Sequence, residues 1–236
     1  MHLPDGEPRF GPWLVRRIDD ILRGLLRDVG GDVIGDVLGD VVGDVLGDVL
    51  DAATGGPPIL AVDGRSGSGK TTVAERIAAR VPGAAIVHTD DIAWYHAMFD
   101  WSSLITEGVL APLRRGAGIA FRPPEWDERG RPGAVTVPAG CALVVVEGVG
   151  IGRRDLAAFF DALVWVQADR AVAWARGLAR DGGSAEQAAF WHEWEAEERP
   201  FLAVERPWER ADLIVDGAPD LPHDPATELV VAAHTA

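Results

Sequence analysis

The sequence predicts an α/β protein: a three-layer fold on a mainly parallel sheet of about five strands, preceded by an N-terminal helical, low-complexity extension. Three observations predict it. From residue 59 onward, short apolar runs of strand length alternate with helix-like stretches. The runs are apolar throughout, with no polar alternation, as strands covered by helices on both faces require. Hydrophobic residues at 47% and charged residues at 25% are ordinary globular proportions, and 236 residues suffice for one large core.

In chain order, residues 1–12 hold three prolines and two acidic residues and no apolar signal core. A helix is expected from near Trp13. Between residues 28 and 51 the tetrapeptide Gly-Asp-Val-(Leu/Ile/Val) recurs, with aspartates at Asp32, Asp36, Asp40, Asp44 and Asp48. As a helix, a four-residue repeat drifts about 40° per repeat, so its apolar stripe winds around the axis and cannot settle in one groove. Each interior glycine costs roughly 1 kcal/mol more. The stripe reads either as a surface for self-association, with homo-oligomerisation open, or as a tolerated repeat expansion. Residues 1–56 form the extension and 57–236 the domain proper, so deleting residues 1–55 is expected to leave a folded protein. After the turn-forming Gly-Gly-Pro-Pro at 55–58, strands are expected at 59–63 (ILAVD), 84–89 (AAIVHT), 142–147 (ALVVVE), 162–167 (ALVWVQ) and 212–216 (DLIVD). Helices are expected at 69–81, 101–115, 153–160, 169–180 and 184–198.

With 37 acidic against 22 basic side chains, the net charge of -15 repels a phosphate backbone or anionic membrane, so no nucleic-acid or membrane partner is expected. Any phosphate must be held locally. Cys141 is the only cysteine, which excludes an intrachain disulfide and fits a reducing, cytoplasmic setting. No apolar run is long enough to span a bilayer.

Gly64-Arg65-Ser66-Gly67-Ser68-Gly69-Lys70-Thr71, followed by Thr72, is a full G-x-x-x-x-G-K-T match that leaves one expected strand and opens one expected helix. Glycines let the loop wrap so that successive N–H groups face an anion, Lys70 neutralises the β and γ phosphates, and the Thr71 hydroxyl suits Mg²⁺. The motif specifies the sheet further, as that of a P-loop NTPase, and implies ATP with Mg²⁺. Lys70 is also the only lysine of the chain. Asp90 and Asp91 close the second strand at the same edge of the sheet, either as acceptor base and metal ligand or as a helix N-cap pair. Glu147 ends an apolar strand, the layout of a carboxylate reaching Mg²⁺. Arg176 and Arg180, four apart on one helix face, either clamp phosphoryl oxygens or form a solvated charge face. Trp94, Tyr95, Phe99, Trp101, Phe121 and Trp126, interleaved with Asp100, Arg122, Glu125 and Asp127, are a wall for a ring-bearing acceptor or part of the core. His88, His96 and His192 have no metal-site spacing and read as structural.

With these residues in this order, the chain resembles the uridine kinase family of P-loop small-molecule kinases over roughly residues 58–217. AVDGRSGSGKTT (61–72) looks like that family's phosphate loop, HTDD (88–91) like its base-bearing strand end, FDWSSL (99–104) and Trp126-Asp127 like acceptor-binding stretches, VEG (146–148) like its metal-binding strand end and ARGLARD (175–181) like its arginine lid. Ile92 and Ala93 replace the family's aromatic pair, Trp126 stands where tyrosine is usual, and Gly177 interrupts the lid arginines. The resemblance implies transfer of the γ-phosphoryl of ATP to a hydroxyl of a small ring-containing acceptor, uridine or a related nucleoside first, with Asp90 as base and Trp94, Tyr95, Asp100, Arg122, Trp126 and Asp127 toward the acceptor. The same residues would serve a kinase of another alcohol, such as an antibiotic hydroxyl. A non-catalytic nucleotide-binding regulator is the rival from another class; no N-K-x-D, D-x-x-G or L-S-G-G-Q signature supports it.

Overall fold

The computed structural model describes residues 6–26 and 55–233. The repeat with Asp32 to Asp48, and the self-association stripe read from it, lie outside the described residues. Nine strands are described: β1 Trp13–Arg17, β2 Ile59–Gly64, β3 Ala84–His88, β4 Ile119–Phe121, β5 Val135–Val137, β6 Leu143–Glu147, β7 Ala162–Gln167, β8 Leu213–Asp216 and β9 Glu228–Ala232. The helices are α1 Ile18–Leu25, α2 Lys70–Ala78, α3 Thr89–Ile92, α4 Ser102–Ile105, α5 Ala111–Arg114, α6 Pro124–Glu128, α7 Arg170–Arg180 and α8 Ala185–Glu205.

Seven strands form one sheet in the order β1-β9-β8-β7-β2-β6-β3. The five expected strands are its parallel body, β8-β7-β2-β6-β3. Their runs are apolar on both faces because both are covered. On one face Leu60, Val62, Val145 and Val164 pack with α1 and α2; on the other Ile59, Ala61, Val144 and Val146 pack with Trp101, Ile105, Val109 and Leu113 from the segment between β3 and β4. Every parallel strand ends at the same edge, which brings Gly64, His88, Glu147, Gln167 and Asp216 into one row.

The structure differs from the expectations at the margins. Residues 13–17 are not helical: they pair antiparallel with β9, from Trp13 opposite Ala232 to Arg17 opposite Glu228, which satisfies the sheet's edge. The helix begins only at Ile18. Its face Ile18, Ile21 and Leu22 is buried in the core, and Arg80, beyond α2, grips Asp19 with two bonds of 2.8 and 2.9 Å. Residues assigned to the extension thus complete the sheet of the domain. The expected helix at 101–115 is α4 and α5 joined by a π turn, Thr106–Leu110, in which Gly108 lies against Phe121 so closely that a Cβ would sit 2.5 Å from its ring. The helix expected at 153–160 is a 3₁₀ helix, Arg154–Phe159. α8 runs beyond Glu198 through Pro200, because Leu202 is fully buried and holds the following turn in place.

Leu22→Ala should lower the unfolding free energy by about 2–5 kcal/mol, the cost of emptying a core site. Chemical denaturation measures it, and a loss below about 0.5 kcal/mol would mean that α1 is peripheral.

Candidate functional site

β2 ends at Gly64, and the chain turns through residues 65–69 into α2, whose first residue is Lys70. The loop needs glycine for two reasons. Gly67 and Gly69 have φ of 77° and 100°. A Cβ at Gly67 would lie 2.0 Å from the Ala173 carbonyl oxygen, and one at Gly64 would lie 2.6 Å from that of Val166. The loop is therefore seated between α7 and the end of β8, where a Cβ on Gly217 would fall 1.9 Å from the Ser68 carbonyl oxygen. Ser68 Oγ is buried with no hydrogen-bond partner among the described residues, at the place where a Cβ on Gly64 would meet it at 2.7 Å. The loop thus fits an anion held by backbone donors and Lys70, which now donates to the Arg65 carbonyl at 3.0 Å.

Across the edge, Glu147 Oε1 accepts the Thr71 hydroxyl at 3.1 Å and lies 2.6 Å from His88 Nδ1. Burial opposes ionisation of Glu147, but the His88 bond and the charges of Lys70 and His88 outweigh it and hold its carboxyl below the usual range. The same bond raises His88, against its partial burial, with further help from Glu147, Asp91 and Asp90. A hydroxyl beside an ionised carboxylate suits Mg²⁺, an oxygen-seeking cation that retains waters and takes phosphate ligands. No group of three or more His, Cys, Asp or Glu among the described residues could hold a metal unaided.

Asp90 is exposed in the first turn of α3. Its charge helps to raise His88, and it acts with Glu147 on Arg180, behind the larger effect of Asp181. Arg180 is held by Asp181 through bonds of 2.8 and 3.3 Å, and Arg176 donates to the Gly217 carbonyl at 2.7 Å beside the loop. Gly177 between them is a packing requirement, since a Cβ there would lie 2.0 Å from the Trp191 ring. Thr72 is exposed one residue beyond Thr71.

The residues expected toward an acceptor are placed unevenly. Asp91 pairs with Arg131 at 2.5 Å, and its carbonyl accepts the Trp126 indole N–H at 2.8 Å. Trp126 itself is buried, with the Arg131 guanidinium 3.7 Å over its ring, so that face is covered. Arg122 and Asp127 bond each other on the surface at 2.6 and 2.8 Å, and Arg122 also braces the Arg131 and Gly133 carbonyls. Asp100 is exposed, and its carbonyl contacts His96 Nε2 at 2.7 Å. Trp94 meets Tyr95 edge to face; Tyr95 is 65% exposed, in a left-handed conformation (φ 58°), with Arg129 stacked 3.9 Å over its ring.

Three carboxylates not singled out from the sequence complete the site. Asp63, fully buried, accepts N–H from Gly64 (2.7 Å), Gly150 (2.9 Å) and Gly152 (2.9 Å), tying β2 to the turn after β6. Burial pushes it up to about 6 despite those bonds and Lys70. Its signal was readable: an acidic residue closing an apolar strand, as at Glu147. Glu198 on α8 takes the Ser66 N–H at 2.8 Å and is raised by burial. Glu7, in the N-terminal segment, bonds Arg65 at 2.8 and 3.1 Å. Neither carries any sequence pattern.

No protein-family model matches the chain, and no curated protein matches it. Among solved structures it is similar to a candidate fructose transport system kinase from Silicibacter sp. TM1040, at 20% identity over 62% of this chain and 87% of that one, with a TM-score of 0.46. It is also similar to a candidate uridine kinase from Bacillus stearothermophilus, at 18% identity over 83% and 100%, TM-score 0.47. A third similar structure is TT1252 from Thermus thermophilus, at 20% identity over 70% and 91%, TM-score 0.41.

Asp63 also makes a pH prediction. Its folded pKa of about 6 exceeds the ordinary aspartate value of 3.8, so its contribution to stability is fully present below 3.8 and is lost as pH rises through 6. Asp63→Asn should therefore make the slope of unfolding free energy against pH more positive between about pH 4 and 6. An identical slope in the two proteins, by urea unfolding at several pH values, would contradict the shift.

Proposed function

We propose that the protein is an ATP- and Mg²⁺-dependent phosphotransferase that passes the γ-phosphoryl group to a hydroxyl of a small ring-containing acceptor, uridine or a related nucleoside being the first choice. The observation that supports this most directly is the convergence of three parts at one sheet edge: an anion cradle with Lys70, the Thr71–Glu147 pair, and an exposed carboxylate, Asp90, without a side-chain hydrogen bond among the described residues. A binding module needs the first two. The third is what transfer adds, because an acceptor hydroxyl must lose a proton as it attacks.

The steps assign themselves to these groups. Backbone donors of residues 66–71 and Lys70 hold the triphosphate, and Glu198 must give up the Ser66 amide if a phosphate oxygen is to use it. Thr71 and Glu147 would hold Mg²⁺, which when bound would supply charge neutralisation at the phosphates. The His88 bond fixes the Glu147 carboxylate in its ionised form. The acceptor oxygen attacks the γ-phosphorus, its proton passes to Asp90, the bond to the bridging oxygen breaks, and ADP leaves with the electron pair. Arg180, and Arg176 beside the loop, offset the charge that develops. Tyr95, the exposed aromatic of the segment following Asp90, would stack on the acceptor by the ring face that Arg129 leaves open, whereas Trp126 is buried.

Lys70→Ala should abolish ATP-induced thermal stabilisation and cut turnover by several orders of magnitude, a loss of roughly 3 kcal/mol or more. Stabilisation unchanged in that variant would sink the assignment of the loop.

The decisive experiment measures ADP release across a panel of nucleosides and ring-bearing alcohols with ATP and Mg²⁺. At least one acceptor should stimulate release, and Asp90→Asn should lower kcat for it by about 10²-fold or more with little change in ATP affinity. Tight ATP binding with no stimulated release across the panel would replace this reading by a regulatory one.

A further inference from the structure

None of the steps above uses the N-terminal segment, yet it carries an acid as completely buried as Asp63. Glu7 has no exposed surface. Its Oε2 accepts from Arg65 Nε at 3.1 Å and Nη2 at 2.8 Å, and its Oε1 accepts from the Trp165 indole at 2.7 Å and from Gln167 Nε2 at 2.6 Å. Four donors from three residues thus surround one carboxylate. Around it, residues 7–12 lie across the end of β7 like a strap: Gln167 also donates to the Pro8 carbonyl at 2.8 Å and accepts the Phe10 N–H at 3.0 Å, Arg9 pairs with Asp169 at 3.1 Å, and the Pro12 carbonyl accepts from Ala233 at 2.8 Å.

Arg65 is the second residue of the phosphate loop and is itself only 3% exposed. A buried ion pair adds little net stability over apolar residues of the same shape, so its use lies in the arrangement it enforces. That arrangement can be followed atom by atom. Glu7 holds the guanidinium beside the end of β7, where the carboxylate's other oxygen is bonded by Trp165 and Gln167, and this restrains the peptide of residue 65. The carbonyl of that peptide is where Lys70 Nζ is parked, at 3.0 Å. Without the carboxylate, the guanidinium would lose the two bonds that hold it and keep a buried charge less well matched.

We propose that Glu7 is a positioning residue of the phosphate loop, acting through Arg65 on Lys70, and that the N-terminal strap is a working part of the nucleotide site. The proposal rests on reading the loop as that site.

The test uses the full chain with Glu7→Gln, and a double variant, Glu7→Gln with Arg65→Met, that leaves no charge unpaired and keeps an acceptor for Trp165 and Gln167 if the single variant folds poorly. Hydrogen exchange of the amides at 65–70 reports the loop directly, and calorimetry reports ATP affinity. In Glu7→Gln, exchange across the loop should quicken tenfold or more while amides of β6 keep their rates, and ATP should bind at least tenfold more weakly. The double variant should recover the parent's melting temperature but not its ATP affinity. Unchanged loop exchange, or a double variant that regains both stability and affinity, would overturn the positioning role. Should the unaltered protein itself not bind ATP, the nucleotide reading and the role for ATP fall together, while quickened exchange would still establish Glu7 as the loop's anchor.

Discussion

A single buried carboxylate organises the site. Asp63 closes β2 and collects backbone N–H groups from its own turn and from Gly150 and Gly152 beyond β6. Two neighbouring parallel strands are thereby locked at their carboxyl ends, where parallel pairing stops and the chain would otherwise be free to splay. Everything chemical stands on that junction. The loop leaves from Gly64, Glu147 sits at the end of β6, and Arg153, only 6% exposed, donates to the Gly150 carbonyl at 3.0 Å from within the same turn. Desolvating a carboxylate costs several kcal/mol in a site this dry, and three bonds to it recover only part of that, which is why its pKa rises.

The loop is then gripped from opposite sides by acids distant in sequence. Glu7 takes the side chain of Arg65 and Glu198 takes the amide of Ser66, adjacent residues bound to segments at the two ends of the described chain. Glu198 rides on α8, which is coupled to α7 by Trp191: its ring fills the space a Cβ on Gly177 would occupy, and its indole N–H reaches Asp181 at 2.9 Å. Asp181 in turn holds Arg180. The helix pair therefore links the loop amide to the arginine facing Asp90 through contiguous packing.

How much of this is legible in the sequence follows from the range of the interactions. The five parallel strands are legible because burial on both faces writes an apolar run into each. β1 escapes because an edge strand is half exposed, as Leu14 and Val15 are, and because a helical reading of the adjoining repeat runs back over residues 13–17; β9, buried between β1 and β8, carries an apolar run at 229–232 of the same kind as the parallel strands. The glycine loop is legible, since its constraints lie within eight residues and concern backbone shape. Glu7, Glu198 and the His88 bond to Glu147 are not: each joins residues at least 58 apart, and one acid among 37 carries no mark of its partner. The aromatic segment misleads for the opposite reason, because a tryptophan suits a core and a ring-binding wall equally, and only the position of Arg131 decides between them for Trp126.

The charge arrangement answers how a chain of net charge -15 could hold a polyanion. Lys70 feels three carboxylates, Asp63, Glu147 and Glu198, which would cancel it several times over if all were fully ionised and indifferent to the newcomer. They are not equivalent. Glu147 is matched by the raised His88 and is the one the chemistry wants ionised. Asp63 and Glu198 are both raised by burial, so each can answer an approaching phosphate by taking up a proton. That option limits the repulsion, because burial has already brought the neutral form of Asp63 close in energy to the charged one. Arg65 is paired with Glu7 and Arg180 with Asp181, which leaves Lys70 as the compact ammonium of the loop. The acidity of the chain as a whole is thus screened out of the one place where an anion would be bound, by burial on one side and by matched pairs on the other.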